Sequence, residues 1–237
     1  MSHYSGYDNI VEWFVPLDPK IHHLYAEEWR YCANNASRER HVKAHGVRWS
    51  ELLRLPYYDP IRHMIVDPMH CLFLGIAKYI VQNIWINEGI LGRKALDIIQ
   101  ARIDNISTSP EVCRIPRKIA TGVGFSNFKA DQWKSFTIIF ATPTIWDLLP
   151  SKDQLILANF VRACQLLYCR MILMDAIETA HLHFLTLNKL IEAHYGPHRV
   201  TMNMHLALHI KECCYDYGPI YAFWCFSYER MNGILGI

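Results

Sequence analysis

The chain has 237 residues, 51% hydrophobic and 19% charged, with a formal net charge of +2. That much apolar side chain predicts a packed core rather than a disordered polypeptide, and the near-neutral balance excludes a global basic field for nucleic acid. Met1-Ser2-His3-Tyr4 lacks the charged-then-apolar pattern of a secretory signal, and no apolar run of about twenty residues is free of polar breaks, so neither a leader nor a membrane span is predicted.

Residues 1–23, with Pro16 and Pro19, read as an irregular lead-in. Helix formers and charge over 21–45 predict one or two exposed helices, with Gly46 as the stop. Ser50 to Leu55 predicts a short helical turn ended by Pro56, and Arg62 to Asp67 a strand. Leu72 to Trp85 is apolar at nearly every helical position, which predicts a buried helix. Gly89 and Gly92 mark a turn, Lys94 to Ile106 an amphipathic helix, and 107–110 a loop. Residues 116–125 form a basic, glycine-punctuated loop, and Lys129 to Phe140 starts a helix that Pro143 kinks or interrupts. Ser151 is the expected N-cap of a long apolar helix from Leu155 to Leu173. Further helices are expected over Glu178–Tyr195, ending at Gly196-Pro197, then Thr201–Cys214 and Ala222–Leu235. One strand cannot stand alone. The expected class is mostly α with a small α/β element.

The eight cysteines include no C-x-x-C pair, and with no leader they read as reduced, mostly buried thiols of an intracellular protein. His205 and His209 are spaced i, i+4 on one predicted helix face, but no obvious third ligand accompanies them.

Asp67-Pro68-Met69-His70 stands between the predicted strand and the buried helix, a place where α/β folds put catalytic carboxylates. Glu229 lies far along the chain in Trp224-Cys225-Phe226-Ser227-Tyr228-Glu229-Arg230. If folding brings the two acids together, the pair suits divalent-metal phosphoryl chemistry. The plainer roles are an N-cap for Asp67, a solvated helix residue for Glu229 and a hydrogen-bonded histidine for His70. Arg114, Arg117, Lys118 and Lys129, interleaved with Phe125 and Phe128, form the best basic patch and suit a DNA backbone or an ordinary solvated loop equally.

Several segments, in order, resemble the catalytic region of CACTA-type (En/Spm-like) DNA transposases, most closely the fungal Plavaka-like branch. They are Ala26-Glu27-Glu28-Trp29-Arg30, the run His45-Gly46-Val47-Arg48-Trp49-Ser50-Glu51-Leu52, and Leu55-Pro56-Tyr57-Tyr58-Asp59-Pro60 leading to Asp67-Pro68-Met69-His70. Phe128-Lys129-Ala130-Asp131-Gln132-Trp133-Lys134 follows, and then Asn203-Met204-His205-Leu206 through Asp216-Tyr217-Gly218-Pro219 to Phe226-Ser227-Tyr228-Glu229-Arg230-Met231-Asn232-Gly233.

The resemblance implies a partial ribonuclease H-like core, with a strand-helix portion in 24–89, a large all-helical insertion over 90–215, and a core helix over 216–237 that carries the family Glu. It also implies an Asp-Asp-Glu site binding Mg²⁺ or Mn²⁺, with Asp67 and Glu229 as metal ligands and His70 beside the second Asp. The partner it implies is DNA at transposon ends, in the nucleus or cytoplasm and without a membrane; a homo-oligomer is compatible with it. The family's first Asp sits in an earlier Asp-Lys-Thr-like context that Asp8, Asp18 and Asp59 do not match, so the expectation is a fragment or remnant that is inactive alone. A domesticated, non-catalytic DNA- or protein-binding module stays open beside it, as does a product with no stable fold.

Overall fold

The computed structural model describes residues 6–7, 17–109, 112, 115, 119–120 and 124–236. The chain divides into two units, one of Asn9–Ile65 and one of Met1–Asp8 with Val66–Ile237. The division falls inside the expected 24–89 segment, just ahead of Asp67.

In the smaller unit the described residues, 17–65, form a pair of helices followed by a short helical turn. Pro19–Arg30 opens on Asp18, whose side chain accepts from Lys20 N at 2.8 Å, with proline at its first position. Asn35–His45 opens on a reciprocal cap between Asn34 and Ser37 and ends on Gly46, whose φ of 72° lies in the left-handed region. The short turn Glu51–Arg54 is capped by Ser50. Ala26, Val47 and Leu53 form a small core, with Tyr25, Trp49 and Tyr58 packed around it. The expected helices, the Gly46 stop and the turn before Pro56 are all present.

The strand expected over Arg62–Asp67 does not form. Asp59 Oδ1 accepts from Ile61 N at 2.8 Å and Arg62 N at 3.0 Å, and His63 N donates to Asp59 O at 2.9 Å. This turn consumes donors that a ladder would need, and residues 64–67 run without regular pairing. Among the described residues there is no strand at all, so the chain is mostly α and the expected small α/β element is absent from them.

The larger unit is built on the helix Met69–Ile86. Met69, Leu72, Phe73, Ile76, Ile80, Ile84 and Trp85 are buried along it, as its unbroken apolar pattern requires. By length and composition this is the one helix among the described residues able to cross a membrane, but here it packs against Ala130–Ser135 and Met202–Ala207 as a core helix. It is wound wider than an ordinary α-helix, with Asn87 N reaching five residues back to Gln82 O.

Gly75 lets this helix seat on Asn203. A Cβ at Gly75 would lie 2.8 Å from Asn203 Cγ and 2.8 Å from His70 O. Gly75→Ala is therefore expected to cost about 1–3 kcal/mol by overpacking, read as a lower Tm; an unchanged Tm would show that the seat has room for a methyl group.

The amphipathic helix Arg93–Asn105 buries Ile99 and Ile103, and Arg102 holds Asp147 with two hydrogen bonds of 2.5 and 2.8 Å. The next helical stretch runs through Ala130–Ser135, a widened turn Phe136–Phe140, and Ala141–Ile145. Pro143 is thus accommodated just after the widened turn instead of ending the helix. Ser151–Leu167 and Met174–Tyr195 form the most extensive helix pair. Ser151 is not the expected N-cap: Pro150 precedes the first turn, and its carbonyl accepts from Asp153 N and Gln154 N. The helix expected over Thr201–Cys214 is broken into Met202–Ala207 and Ile210–Tyr217, and the last helix is Phe226–Leu235.

Candidate functional site

Asp67 precedes the first turn of the Met69–Ile86 helix and acts there as a cap. Its Oδ1 accepts from Met69 N at 3.3 Å and its Oδ2 from His70 N at 3.0 Å. The same carboxylate reaches across the fold, where Oδ1 accepts from Cys225 N at 2.8 Å, a residue 158 positions away. That hydrogen bond anchors the entry to the Phe226–Leu235 helix and so sets the position of Glu229.

His70 lies between the two acids. Its Nδ1 is hydrogen-bonded to Asp67 Oδ2, and its Nε2 lies 3.6 Å from Glu229 Oε1. A carboxylate only accepts, so in the neutral ring Nδ1 carries the hydrogen and the Nε2 lone pair faces Glu229. The imidazole can then act as an imidazolium bridging two carboxylates, or as a neutral base whose free nitrogen shares a cation with Glu229. The 3.6 Å span is close to the roughly 3.3 Å between tetrahedral ligands at about 2.0–2.1 Å from a metal.

The Asp67 carboxylate is saturated. Four hydrogen bonds occupy its four lone-pair positions, so an ion can reach it only by displacing a donor. The His70 side chain is the one that can leave, being about half exposed at 55%, whereas the Asp67 side chain is 18% exposed. Cys225 joins the group: one ligand atom each from Asp67, His70 and Cys225 lie within 4.8 Å of one another. Burial, then the neighbouring Asp67 charge, holds the Cys225 thiol above its ordinary range, so it resists becoming a thiolate. Burial likewise pushes the Cys71 thiol, in the first turn of the same helix, up to about 12.

Glu229 also lines a cleft of about 530 Å³ together with Lys129, Lys134, Arg230, Tyr221 and Trp224. Lys134 is committed inside it. Its Nζ pairs with Asp131 at 2.5 Å and lies 4.8 to 5.7 Å from the ring centres of Phe226, Trp224 and Tyr168. Lys129 and Arg230 are exposed at the same cleft.

The expected basic patch fares differently at each residue. Lys129 is on the cleft, while Arg114, Arg117 and Lys118 lie outside the described residues. Phe125 and Phe128 cannot stack on bases. Both are buried in an aromatic cluster with Trp133 and Phe136, with ring centres 4.8 to 6.2 Å apart. Their apolar surface gains more from this packing than from solvent exposure. His205 and His209 meet ring to edge at 5.2 Å, next to the break between their two helices.

Sequence reasoning missed Cys225, Lys134 and Arg230 as neighbours of the acids. The only local signal was their place in the segments that already contain Glu229 and Lys129. No family model, curated protein or solved structure matches this chain.

Proposed function

We propose that this is a transposase-derived protein and that Asp67, His70 and Glu229 are the surviving part of a metal-dependent site for cutting and joining DNA at transposon ends. The observation that carries the reading is the convergence of the two acids on His70, from opposite ends of the larger unit, beside a cleft with Lys129 and Arg230 at its edge. The residue types fit a hard divalent ion. Glu229 and, once His70 swings away, Asp67 Oδ2 would hold Mg²⁺ or Mn²⁺ through oxygen. When bound, such an ion lowers the pKa of a water or hydroxyl nucleophile and stabilises the leaving oxygen. Lys129 and Arg230 would neutralise phosphate charge along the cleft. This ancestry implies a ribonuclease H-like core with a helical insertion. The described residues contain helices and no strand, so that assignment rests on the order of the motifs and on the approach of Asp67 and Glu229 to the same imidazole.

The test is Mn²⁺ binding followed by water-proton relaxation. Asp67→Asn and Glu229→Gln are each expected to weaken it by about tenfold or more. Equal binding by the native chain and both acid variants would refute the metal reading. This polypeptide by itself carries two of the three acids the resemblance implies, and no strand transfer is expected from it. Metal-dependent nicking of duplex DNA that Asp67→Asn abolishes would overturn that expectation.

A second reading, a non-catalytic binding module, is favoured by the saturation of Asp67, which already serves as a cap and a cross-fold tie. It expects salt-dependent DNA affinity that survives Asp67→Asn and Glu229→Gln and falls on Lys129→Ala with Arg230→Ala.

A further inference from the structure

The smaller unit holds a second cluster of metal-ligating side chains that the reading above does not use. Helices Pro19–Arg30 and Asn35–His45 bring together Glu28, His41 and His45, and one ligand atom from each lies within 4.8 Å of the other two. His41 and His45 are one turn apart on the second helix and so share a face; Glu28 comes from the first helix.

The rings are held in place. His41 Nε2 is hydrogen-bonded to Tyr25 O at 2.8 Å. A carbonyl only accepts, so Nε2 carries the hydrogen and the available lone pair is on Nδ1. A backbone carbonyl fixing the tautomer of a ligand histidine is the usual outer partner of a metal-bound imidazole. The His45 ring stacks on the Tyr25 ring at 3.9 Å and lies 4.6 Å from the His41 ring. Tyr25 therefore positions both histidines, one through its carbonyl and one through its ring, and little ordering is left for an ion to impose.

The unit also has reason to need a staple. Among its described residues, 17–65, the core is Ala26, Val47 and Leu53 with Tyr25, Trp49 and Tyr58 packed against it, and the Asn35–His45 helix buries none of its own residues. Small units are commonly completed by a metal or a disulfide.

We propose that Glu28, His41 and His45 form a binding site for a zinc-class divalent ion that ties the two helices of this unit together. Two imidazole nitrogens and one carboxylate oxygen suit Zn²⁺ or Co²⁺ far better than Mg²⁺ or Ca²⁺, which take oxygen ligands. Three protein ligands leave the fourth tetrahedral position to solvent or to a group from a partner.

The experiment uses the full chain without a histidine tag, stripped with a chelator, and titrates Zn²⁺ against a chromophoric competitor. One equivalent is expected to bind at least about 100-fold more tightly than to the His41→Ala/His45→Ala double variant, and Glu28→Gln to weaken that equivalent about tenfold. Glu28 is exposed, so the Gln variant keeps the fold in place while removing the charge. Co²⁺ is expected to give visible d–d bands without thiolate charge transfer, because the site has no sulfur. An Asp67→Asn/Cys225→Ser variant separates this site from the other cluster and is expected to leave the first equivalent unchanged. The proposal is overturned if the native chain binds zinc no better than the double variant, if Glu28→Gln has no effect, or if the first equivalent is lost in the Asp67/Cys225 variant.

Discussion

Asp153→Ala is expected to destabilise the larger unit by about 2–6 kcal/mol, because it leaves two donors without an acceptor at roughly 1–3 kcal/mol each. Asp153 is fully buried in the first turn of the Ser151–Leu167 helix. Its Oδ1 accepts from Trp85 Nε1 at 2.7 Å and from the Tyr195 hydroxyl at 2.6 Å, so one oxygen links the Met69–Ile86, Ser151–Leu167 and Met174–Tyr195 helices. Burial and then this carboxylate raise the Tyr195 phenol well above its ordinary value, keeping it protonated as the donor. Among the described residues, Asp153 Oδ2 has no hydrogen-bond partner. Asparagine retains an acceptor for both donors and puts its amide where the carboxylate was already unsatisfied. Asp153→Asn is thus expected to cost clearly less than Asp153→Ala in urea denaturation. Equal losses for the two variants, or a loss under about 1 kcal/mol for alanine, would show that Oδ1 does not link these helices energetically.

Asp67→Ala is expected to cost about 2–3 kcal/mol, the sum of a lost helix cap at roughly 1–2 and an unpaired, part-buried amide at about 1. Its distinguishing effect is local. Cys225 N loses its 2.8 Å acceptor, and the amide is expected to exchange with solvent faster, ahead of any change in the Ser151–Leu167 helix. Asp67→Asn keeps one accepting oxygen and is expected to fall between alanine and the native chain. If Cys225 amide protection stays unchanged in Asp67→Ala, the cross-fold tie is not what holds Glu229 beside His70. The paired variants also separate the two roles of Asp67, because the cap survives in part in asparagine while the anionic ligand does not.

Helix identities were legible in the sequence where the apolar pattern was long and unbroken, as over 72–85, or punctuated by residues with one backbone job, as at Gly46 and Gly196-Pro197. The failures share a cause. The apolar run before Asp67 has the composition of a strand, but Asp59 takes its neighbours' amides into a turn, and composition does not register that competition. Ser151 has the right side chain for a cap, yet Pro150 stands ahead of it and its carbonyl meets the first-turn amides. Phe125 and Phe128 lie between Lys118 and Lys129 along the chain, but their burial depends on Trp133 and Phe136 arriving from the next helix. The His41–His45 pair has the same i, i+4 spacing as His205–His209; among the described residues, the first pair is the one joined within 4.8 Å by a carboxylate, Glu28, from a neighbouring helix.

The sequence by itself determined a mostly helical chain, the helix stops at Gly46 and Gly196-Pro197, and the two acids and histidine worth watching, because helix periodicity and glycine geometry are local interactions. Only the tertiary structure decided that Asp67 and Glu229 face the same imidazole, that Lys134 is sequestered among aromatic rings, and that Glu28 joins His41 and His45. Each of those depends on side chains from separate elements meeting within a few ångströms, and that distance is set by how whole helices pack.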